Sequence, residues 1–280
     1  MRIGGGIEKA YHNPEEWVSY AKDLRYSAVL CPIDSSSDTA TRKEYLKAAK
    51  AADLLIGEVG VWRNCLSKDD KVRKDAMDYA KAQLALADEM GANCCVNIIG
   101  SHSETAWDGF SEENYTEEFY ALAVDSVREI IDAVKPKRTY YSIEPMPWVL
   151  PDSPCNYLKL IKDVGRNAFA VHLDFVNMIN CPDRYCHRNE FVKYCFDLLG
   201  PYIKSIHGKD VFMEQAYTTL IHETMPGKGT LDYKLILPLV EKLGKDTPLF
   251  VEHLPDYETY RQAAAYVRGQ AESVGIVVKG

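Results

Sequence analysis

Short apolar segments alternate with longer helical segments eight times along this 280-residue chain. Each apolar segment is rich in β-branched or aromatic residues and is followed by a loop, which is the pattern of buried strands. The predicted strands span residues 1–7, 26–32, 54–62, 92–100, 139–144, 169–174, 202–208 and 248–252. Strands that alternate with helices form parallel sheets, and eight such units close into a (β/α)₈ barrel. We therefore expect a single α/β domain of this type over residues 1–280.

The segments between the strands carry helix start and stop signals. Asn13 and the proline after it are an N-cap and a first helical position, and Gly91 suits the position after a long helix. We expect one helix, ending near residue 199, after the sixth strand, and a long loop over residues 208–229 after the seventh. The alternative fold is a doubly wound open sheet, but its usual glycine fingerprint does not follow the glycines at 4–6.

Composition favours a cytoplasmic enzyme that acts on a small molecule. The net charge is −8, and no cluster of Lys and Arg offers a surface for nucleic acid. The chain has eight cysteines, but Cys94 and Cys95 are adjacent in a predicted buried strand, so we expect reduced thiols. The sequence shows no signal-peptide pattern and no apolar run of roughly 18 residues, so no membrane partner is expected.

Four predicted strands end on residue types that bind metals. Strands five to eight end on Glu144, Asp174, His207 and Glu252. Active sites of such barrels lie at the carboxyl ends of the strands, where these side chains would converge on one divalent ion. Mn²⁺ is our first choice, because three carboxylates and one imidazole leave room for two substrate oxygens in a six-coordinate shell; Mg²⁺, Co²⁺ and Zn²⁺ are alternatives. Any one of these residues alone would be explained as a strand cap or an ion-pair partner, so the metal hypothesis rests on the set of four.

Two residues lie two positions from these ligands and therefore share a face with them. His172 precedes Asp174 and lies one layer deeper, where it is either a barrel-core histidine or a residue that orients a carboxylate. Lys209 follows His207 and is either solvated or in contact with a substrate oxygen.

Other residues of the predicted mouth are candidates for substrate binding. His102, after strand four, and Glu58, near the end of strand three, would contact substrate hydroxyls, although a buried pair explains Glu58 equally well. Trp62, Trp107 and Trp148 follow strands three to five and would pack against a sugar ring or an aromatic aglycone, or locally against the protein. No basic cluster marks a phosphate site, so an unphosphorylated substrate is expected.

At these residues the chain resembles the sugar (phosphate) isomerase/epimerase superfamily, whose fold is the xylose isomerase-like TIM barrel. The matching segments occur in the family's order and span the second half of the chain: Ile143-Glu144-Pro145-Met146, His172-Leu173-Asp174, His207-Gly208-Lys209-Asp210, the segment 226–233 and Glu252-His253. The strand count extends the resemblance to the whole chain.

The resemblance implies that Glu144, Asp174, His207 and Glu252 bind the metal and that the two glutamates flank the reacting carbon. One glutamate would remove a proton next to a metal-polarised carbonyl, and a metal-bound enediolate would form. Reprotonation by the other glutamate on the opposite face gives epimerisation, and delivery to the neighbouring carbon gives isomerisation. A homodimer is a further expectation from the resemblance.

The chain departs from the ketose 3-epimerases that it otherwise resembles. Those enzymes carry a histidine, an arginine and a glutamate where this chain has Asn177, Met213 and Leu150. Asn177 is kept as a candidate substrate contact. The same position and the acidic composition argue against the AP endonuclease branch of the superfamily. Two alternatives stay open: a metal-dependent lyase or deglycosidase acting on an oxidised (3-keto) glycoside, and a barrel that binds a sugar without turnover.

Overall fold

Eight parallel strands form a nearly closed barrel, as predicted. The computed structural model describes all 280 residues. The barrel strands are β1 (Arg2–Gly5), β2 (Ala28–Leu30), β3 (Leu55–Gly60), β4 (Cys94–Ile98), β5 (Tyr140–Glu144), β6 (Phe169–Leu173), β7 (Ile203–Gly208) and β10 (Pro248–Val251). Around the barrel they follow the order β1, β10, β7, β6, β5, β4, β3, β2. The first and last strands of this order meet where the Ser27 amide donates a hydrogen bond to the Ile3 carbonyl at 3.0 Å.

Nine α-helices accompany the strands, and the predicted signals Asn13 and Gly91 mark the start of one and the end of another. The Asn13 side chain accepts a hydrogen bond from the Glu16 amide, and Gly91 ends the longest helix with a φ of 68°. The helices are α1 (Pro14–Asp23), α2 (Thr39–Ala51), α3 (Asp70–Met90), α4 (Glu117–Val134), α5 (Pro154–Val164), α6 (Pro182–Cys186), α7 (Arg188–Leu199), α8 (Tyr233–Lys242) and α9 (Tyr257–Ser273). No helix combines the length and apolarity that crossing a membrane requires.

Two predicted connections differ from the structure. The segment after β6 forms two helices, α6 and α7, instead of one. The predicted loop 208–229 contains an antiparallel hairpin of β8 (Asp210–Glu214) and β9 (Leu220–Thr224). The buried Asp210 carboxylate ties this hairpin down, because it accepts hydrogen bonds from the Gly227 amide at 3.0 Å and the Leu231 amide at 2.9 Å. The hairpin therefore stands at a defined position over the barrel mouth.

The barrel and its helices enclose one hydrophobic core of 63 buried residues. Inside the barrel, the Phe250 ring fills the space beside Gly4 and Gly57, where a Cβ on either glycine would overlap it. At the wall, the Tyr157 hydroxyl accepts a hydrogen bond from the Ile143 amide at 3.1 Å and donates to a neighbouring strand carbonyl. This bond holds the end of β5 next to Glu144. All eight cysteines are free thiols, as expected.

Candidate metal centre

The four predicted metal ligands come together at the carboxyl end of the barrel. Glu144 is the last residue of β5, Asp174 follows β6, His207 lies near the end of β7, and Glu252 follows β10. One donor atom from each lies within 4.8 Å of the donor atoms of the other three. Adjacent parallel strands end at the same rim, so ligands far apart in sequence become neighbours.

The imidazole of His207 turns its Nδ1 atom toward the three carboxylates. This atom lies 2.9 Å from Glu252 Oε2, 3.3 Å from Glu144 Oε1 and 4.0 Å from Asp174 Oδ2. Asp174 Oδ2 and Glu252 Oε1 are buried without a hydrogen bond. Three carboxylates and one imidazole, with buried oxygen atoms that lack a donor, fit a hard or borderline divalent cation.

The Lys209 ammonium lies inside this cluster, deeper than the sequence analysis placed it. Its Nζ atom is 2.8 Å from Asp174 Oδ2 and 2.5 Å from Glu252 Oε1, although neither contact has hydrogen-bond geometry. Burial lowers the pKa of Lys209, but the carboxylates around it, Asp174 first, raise that pKa well above its usual value. Lys209 is therefore a buried positive charge that balances part of the carboxylate cluster.

The pKa values of Asp174 and Glu252 shift in opposite directions in this cluster. Burial raises the pKa of Asp174 to about 6, and the charges of Glu144 and Glu252 act in the same direction against that of Lys209. Burial also raises the pKa of Glu252, but His207 and Lys209 outweigh it and hold that pKa well below its usual range. As the pH falls, Asp174 is therefore protonated before Glu252.

Asn177 links the carboxylates to the lysine. Its side-chain amide donates to Glu144 Oε1 at 3.1 Å, and its backbone amide donates to Asp174 Oδ1 at 3.0 Å. Its side-chain oxygen accepts from Lys209 Nζ at 3.3 Å. Asn177 lines the cavity, as expected of a substrate contact. Its hydrogen bonds also orient two of the predicted metal ligands, Glu144 and Asp174.

Glu58 lies beneath the ligand cluster, where it contacts two histidines. One oxygen is 3.4 Å from His207 Nε2, and the other is 3.2 Å from Nδ1 of His172, which also contacts the Ser205 hydroxyl at 2.6 Å. Although burial raises it, His172 and His207 lower the pKa of Glu58 to about 2. Glu58 thus makes the buried pair that was one of its two alternatives, and it also lines the cavity above the cluster, so its contact with substrate stays a prediction. His172 contacts Glu58, as a residue that orients a carboxylate would.

We expect Glu58→Gln to lower the affinity for Mn²⁺ about 10- to 100-fold, the usual effect of removing the carboxylate behind a ligand histidine. An ionised Glu58, 3.4 Å from Nε2 of His207, favours the tautomer that carries its proton on Nε2 and so leaves the Nδ1 lone pair facing the cluster. Titration calorimetry measures the affinity. Glu8→Gln is the matched control, since Glu8 lines the same cavity without a contact to His207. Equal affinities for both variants would contradict the role of Glu58.

A cavity of about 1270 Å³ opens above the cluster. Glu144, His207 and Glu252 lie among the residues that line it, and so do Trp62, Trp107 and Trp148. His102 does not line it.

His102 instead contacts residues that follow it closely in the chain. Its Nδ1 atom is 2.9 Å from a Glu113 oxygen, and its ring packs edge-on against Phe119 at a centroid distance of 4.9 Å. These contacts engage Nδ1 of the imidazole, and the contact between His102 and substrate stays a prediction.

Sequence reasoning missed Glu223, which lies on strand β9 of the hairpin. One oxygen of Glu223 is 3.1 Å from Lys209 Nζ, and the other is 2.9 Å from His253 Nδ1. Residues 210–214 (DVFME) and 220–224 (LIHET) show no regular alternation of apolar and polar residues, so local sequence carried no clear signal for this hairpin. Without the hairpin, Glu223 had no predicted place at the mouth.

Comparison with known proteins identifies the family. A family model described as the xylose isomerase-like TIM barrel matches residues 16–270. The chain belongs to the xylose isomerase-like TIM barrel family. No curated protein sequence matches this family member at a significant level.

Solved structures with the xylose isomerase-like fold cover nearly the whole chain. A xylose isomerase-like TIM barrel protein from Mycobacterium smegmatis in complex with magnesium is 17% identical, with a TM-score of 0.68, over 97% of this chain and 92% of that chain. D-psicose 3-epimerase from Clostridium cellulolyticum H10, solved with D-tagatose, is 13% identical, with a TM-score of 0.71, over 99% and 100%. The 3-keto-D-glucoside 4-epimerase from E. coli is 15% identical, with a TM-score of 0.70, over 96% and 99%. At these identities the likeness establishes the shared fold.

Proposed function

We propose that the protein is a divalent-metal-dependent sugar isomerase or epimerase that moves a proton next to a substrate carbonyl. The observation that carries the proposal is the cluster of Glu144, Asp174, His207 and Glu252 at the floor of the cavity. The solved epimerases with this fold support it, since they act on sugars.

Glu144, Asp174, His207 and Glu252 would hold the metal, with Mn²⁺ as the proposed ion. Bound there, the metal would act as a Lewis acid that acidifies the C–H bond next to a sugar carbonyl. Glu144 and Glu252 are the proposed acid/base pair, one removing the proton and the other returning it. Lys209 supplies positive charge beside Glu252, and Asn177 holds the carboxylate of Glu144 in place.

A second candidate function is a lyase that cleaves an oxidised (3-keto) glycoside after the same proton abstraction. The tryptophans that line the cavity favour it, because a free ketohexose leaves them without a partner. Asn177 favours it as well, since the histidine that ketose 3-epimerases carry there is replaced by a residue engaged with Glu144 and the Pro145 carbonyl. Both candidates share the proton-abstraction step and differ in the fate of the carbanion that it produces.

Solvent deuterium exchange tests the shared step. The Mn²⁺-loaded protein is incubated in D₂O with ketohexoses and with 3-keto-glucosides, and NMR measures the loss of each C–H signal. We expect metal-dependent exchange at the carbon next to the carbonyl, which EDTA abolishes. An epimer or isomer as product favours the first candidate, and release of the aglycone favours the second. A protein that binds Mn²⁺ but exchanges no proton with any of these compounds would contradict both and favour a binding function.

A further inference from the structure

Three tryptophans form an aromatic wall above the candidate metal centre. Trp62 follows β3, Trp107 lies in the loop after β4, and Trp148 lies in the loop after β5; all three line the cavity. Their exposed fractions are 36%, 46% and 36%. Large aromatic faces left open beside a cavity mark sites that bind apolar or aromatic groups.

The structure holds two of these indoles in place. Trp62 has a left-handed backbone with a φ of 50°, which is rare for a bulky residue, and such conformations concentrate at binding sites. Its ring folds back over Gly60, where any Cβ would overlap the indole. The Trp148 indole donates a hydrogen bond to the Asp108 carbonyl at 2.7 Å. The wall is therefore preorganised by its own backbone and side-chain contacts.

The wall also joins two cavities. A second cavity of about 490 Å³ shares Trp62, Tyr79 and Trp107 with the main one. The main cavity, at about 1270 Å³, already exceeds the roughly 300–1,000 Å³ common for small-molecule sites. A single monosaccharide at the metal centre would leave the wall and the second cavity unfilled. The space fits a longer ligand that extends from the cluster across the tryptophans.

The charge of the cavity narrows the ligand class. No Lys or Arg is among the residues that line the main cavity, whereas Glu8, Asp34 and Asp108 are. The second cavity has one, Arg63, whose guanidinium donates to the Trp62 carbonyl at 2.9 Å and lies over the Tyr79 ring. A phosphate or carboxylate group on the outer part of the ligand would therefore meet mainly negative charges. A neutral outer group is therefore favoured, and the indole faces favour a flat one.

We propose that Trp62, Trp107 and Trp148 form a subsite for the planar aromatic aglycone of a glycoside whose sugar occupies the metal centre. This inference rests on the proposed function, because the metal centre must hold the sugar. It goes further in naming aryl glycosides with an oxidised (3-keto) sugar, rather than free sugars or sugar phosphates, as the substrate class.

Calorimetry with a matched pair of ligands tests the subsite. The Mn²⁺-loaded protein is titrated with phenyl 3-keto-β-D-glucoside and with methyl 3-keto-β-D-glucoside. We expect the phenyl compound to bind at least about tenfold more tightly, an increment in the range of one good aromatic contact. Equal affinity for the two ligands, or no measurable binding of either, would overturn the proposal.

Single-residue variants test which tryptophans cause the tighter binding of the phenyl compound. Trp62→Ala and Trp107→Ala should each weaken binding of the phenyl compound about tenfold while changing the methyl compound by less than about threefold. Phe110→Ala is the control, since Phe110 is 60% exposed near Trp107 but does not line the cavity. Trp107 has no side-chain hydrogen bond to lose, so its variant keeps the test valid if Trp62→Ala does not fold. A phenyl preference that survives in Trp107→Ala would overturn the assignment.

The binding assay and the deuterium exchange test separate proposals, so that either proposal can be contradicted while the other stands. Exchange in the absence of a phenyl preference would leave the proposed function standing and remove the subsite. A phenyl preference that is lost in Trp107→Ala, in a protein that exchanges no proton, would leave the subsite standing and remove the catalytic proposal.

Discussion

Replacing Glu144 or Glu252 by glutamine is expected to lower the rate of substrate deuterium exchange about 10²- to 10⁴-fold, the usual contribution of a positioned acid or base. The amide cannot accept the proton, and each change also removes one negative charge from the donors of the metal centre. Net conversion should fall with both variants, because one carboxylate removes the proton and the other returns it. NMR in D₂O measures the exchange, and calorimetry on the same samples reports how much Mn²⁺ each variant binds.

Asp108→Asn is the matched control for these two variants. Asp108 is a carboxylate of the same cavity that lies outside the cluster of donor atoms, so its variant should exchange within about threefold of the unmodified rate. If Glu144→Gln and Glu252→Gln retained full exchange at saturating Mn²⁺, the acid/base pair would have to be sought elsewhere.

Lys209→Met is expected to destabilise the EDTA-treated protein by about 3 kcal/mol, because breaking a buried ion pair leaves uncompensated charge behind. Lys209 is 1% exposed and lies within 3.1 Å of oxygens from Asp174, Glu252 and Glu223. Without its ammonium, these carboxylates repel one another more strongly. Mn²⁺ binds only the folded state, and its positive charge relieves the repulsion among these carboxylates. It should therefore stabilise the variant more than it stabilises the unmodified protein. Chemical denaturation with and without Mn²⁺ measures both effects.

Lys234→Met is the control for this experiment. Lys234 is exposed on α8, so its replacement should change the free energy of unfolding by no more than about 0.5 kcal/mol. Equal stability of Lys209→Met and Lys234→Met in EDTA would show that Lys209 does not balance the cluster.

The architecture could be predicted from local signals in the sequence. Strand-forming runs, N-caps such as Asn13 and the helix-ending Gly91 marked the repeating units, and eight units of that kind permit few arrangements. The hairpin of β8 and β9 was missed because its position depends on Asp210, which reaches across 17 and 21 residues to the amides of Gly227 and Leu231. No window of local sequence reports such a contact.

The candidate site, like the fold, could be predicted from the sequence only in part. The sequence by itself determined that Glu144, Asp174, His207 and Glu252 would share one rim, because the ends of parallel strands meet there whatever the details of packing. Only the tertiary structure decided the depth and direction of the other side chains. A period of two places Lys209 on the same face as His207, yet the reach of a long side chain over a curved barrel brought its ammonium down among the carboxylates. The fold likewise decided that Glu58 lies 3.4 Å from Nε2 of His207 and that His102 contacts its local partner Glu113.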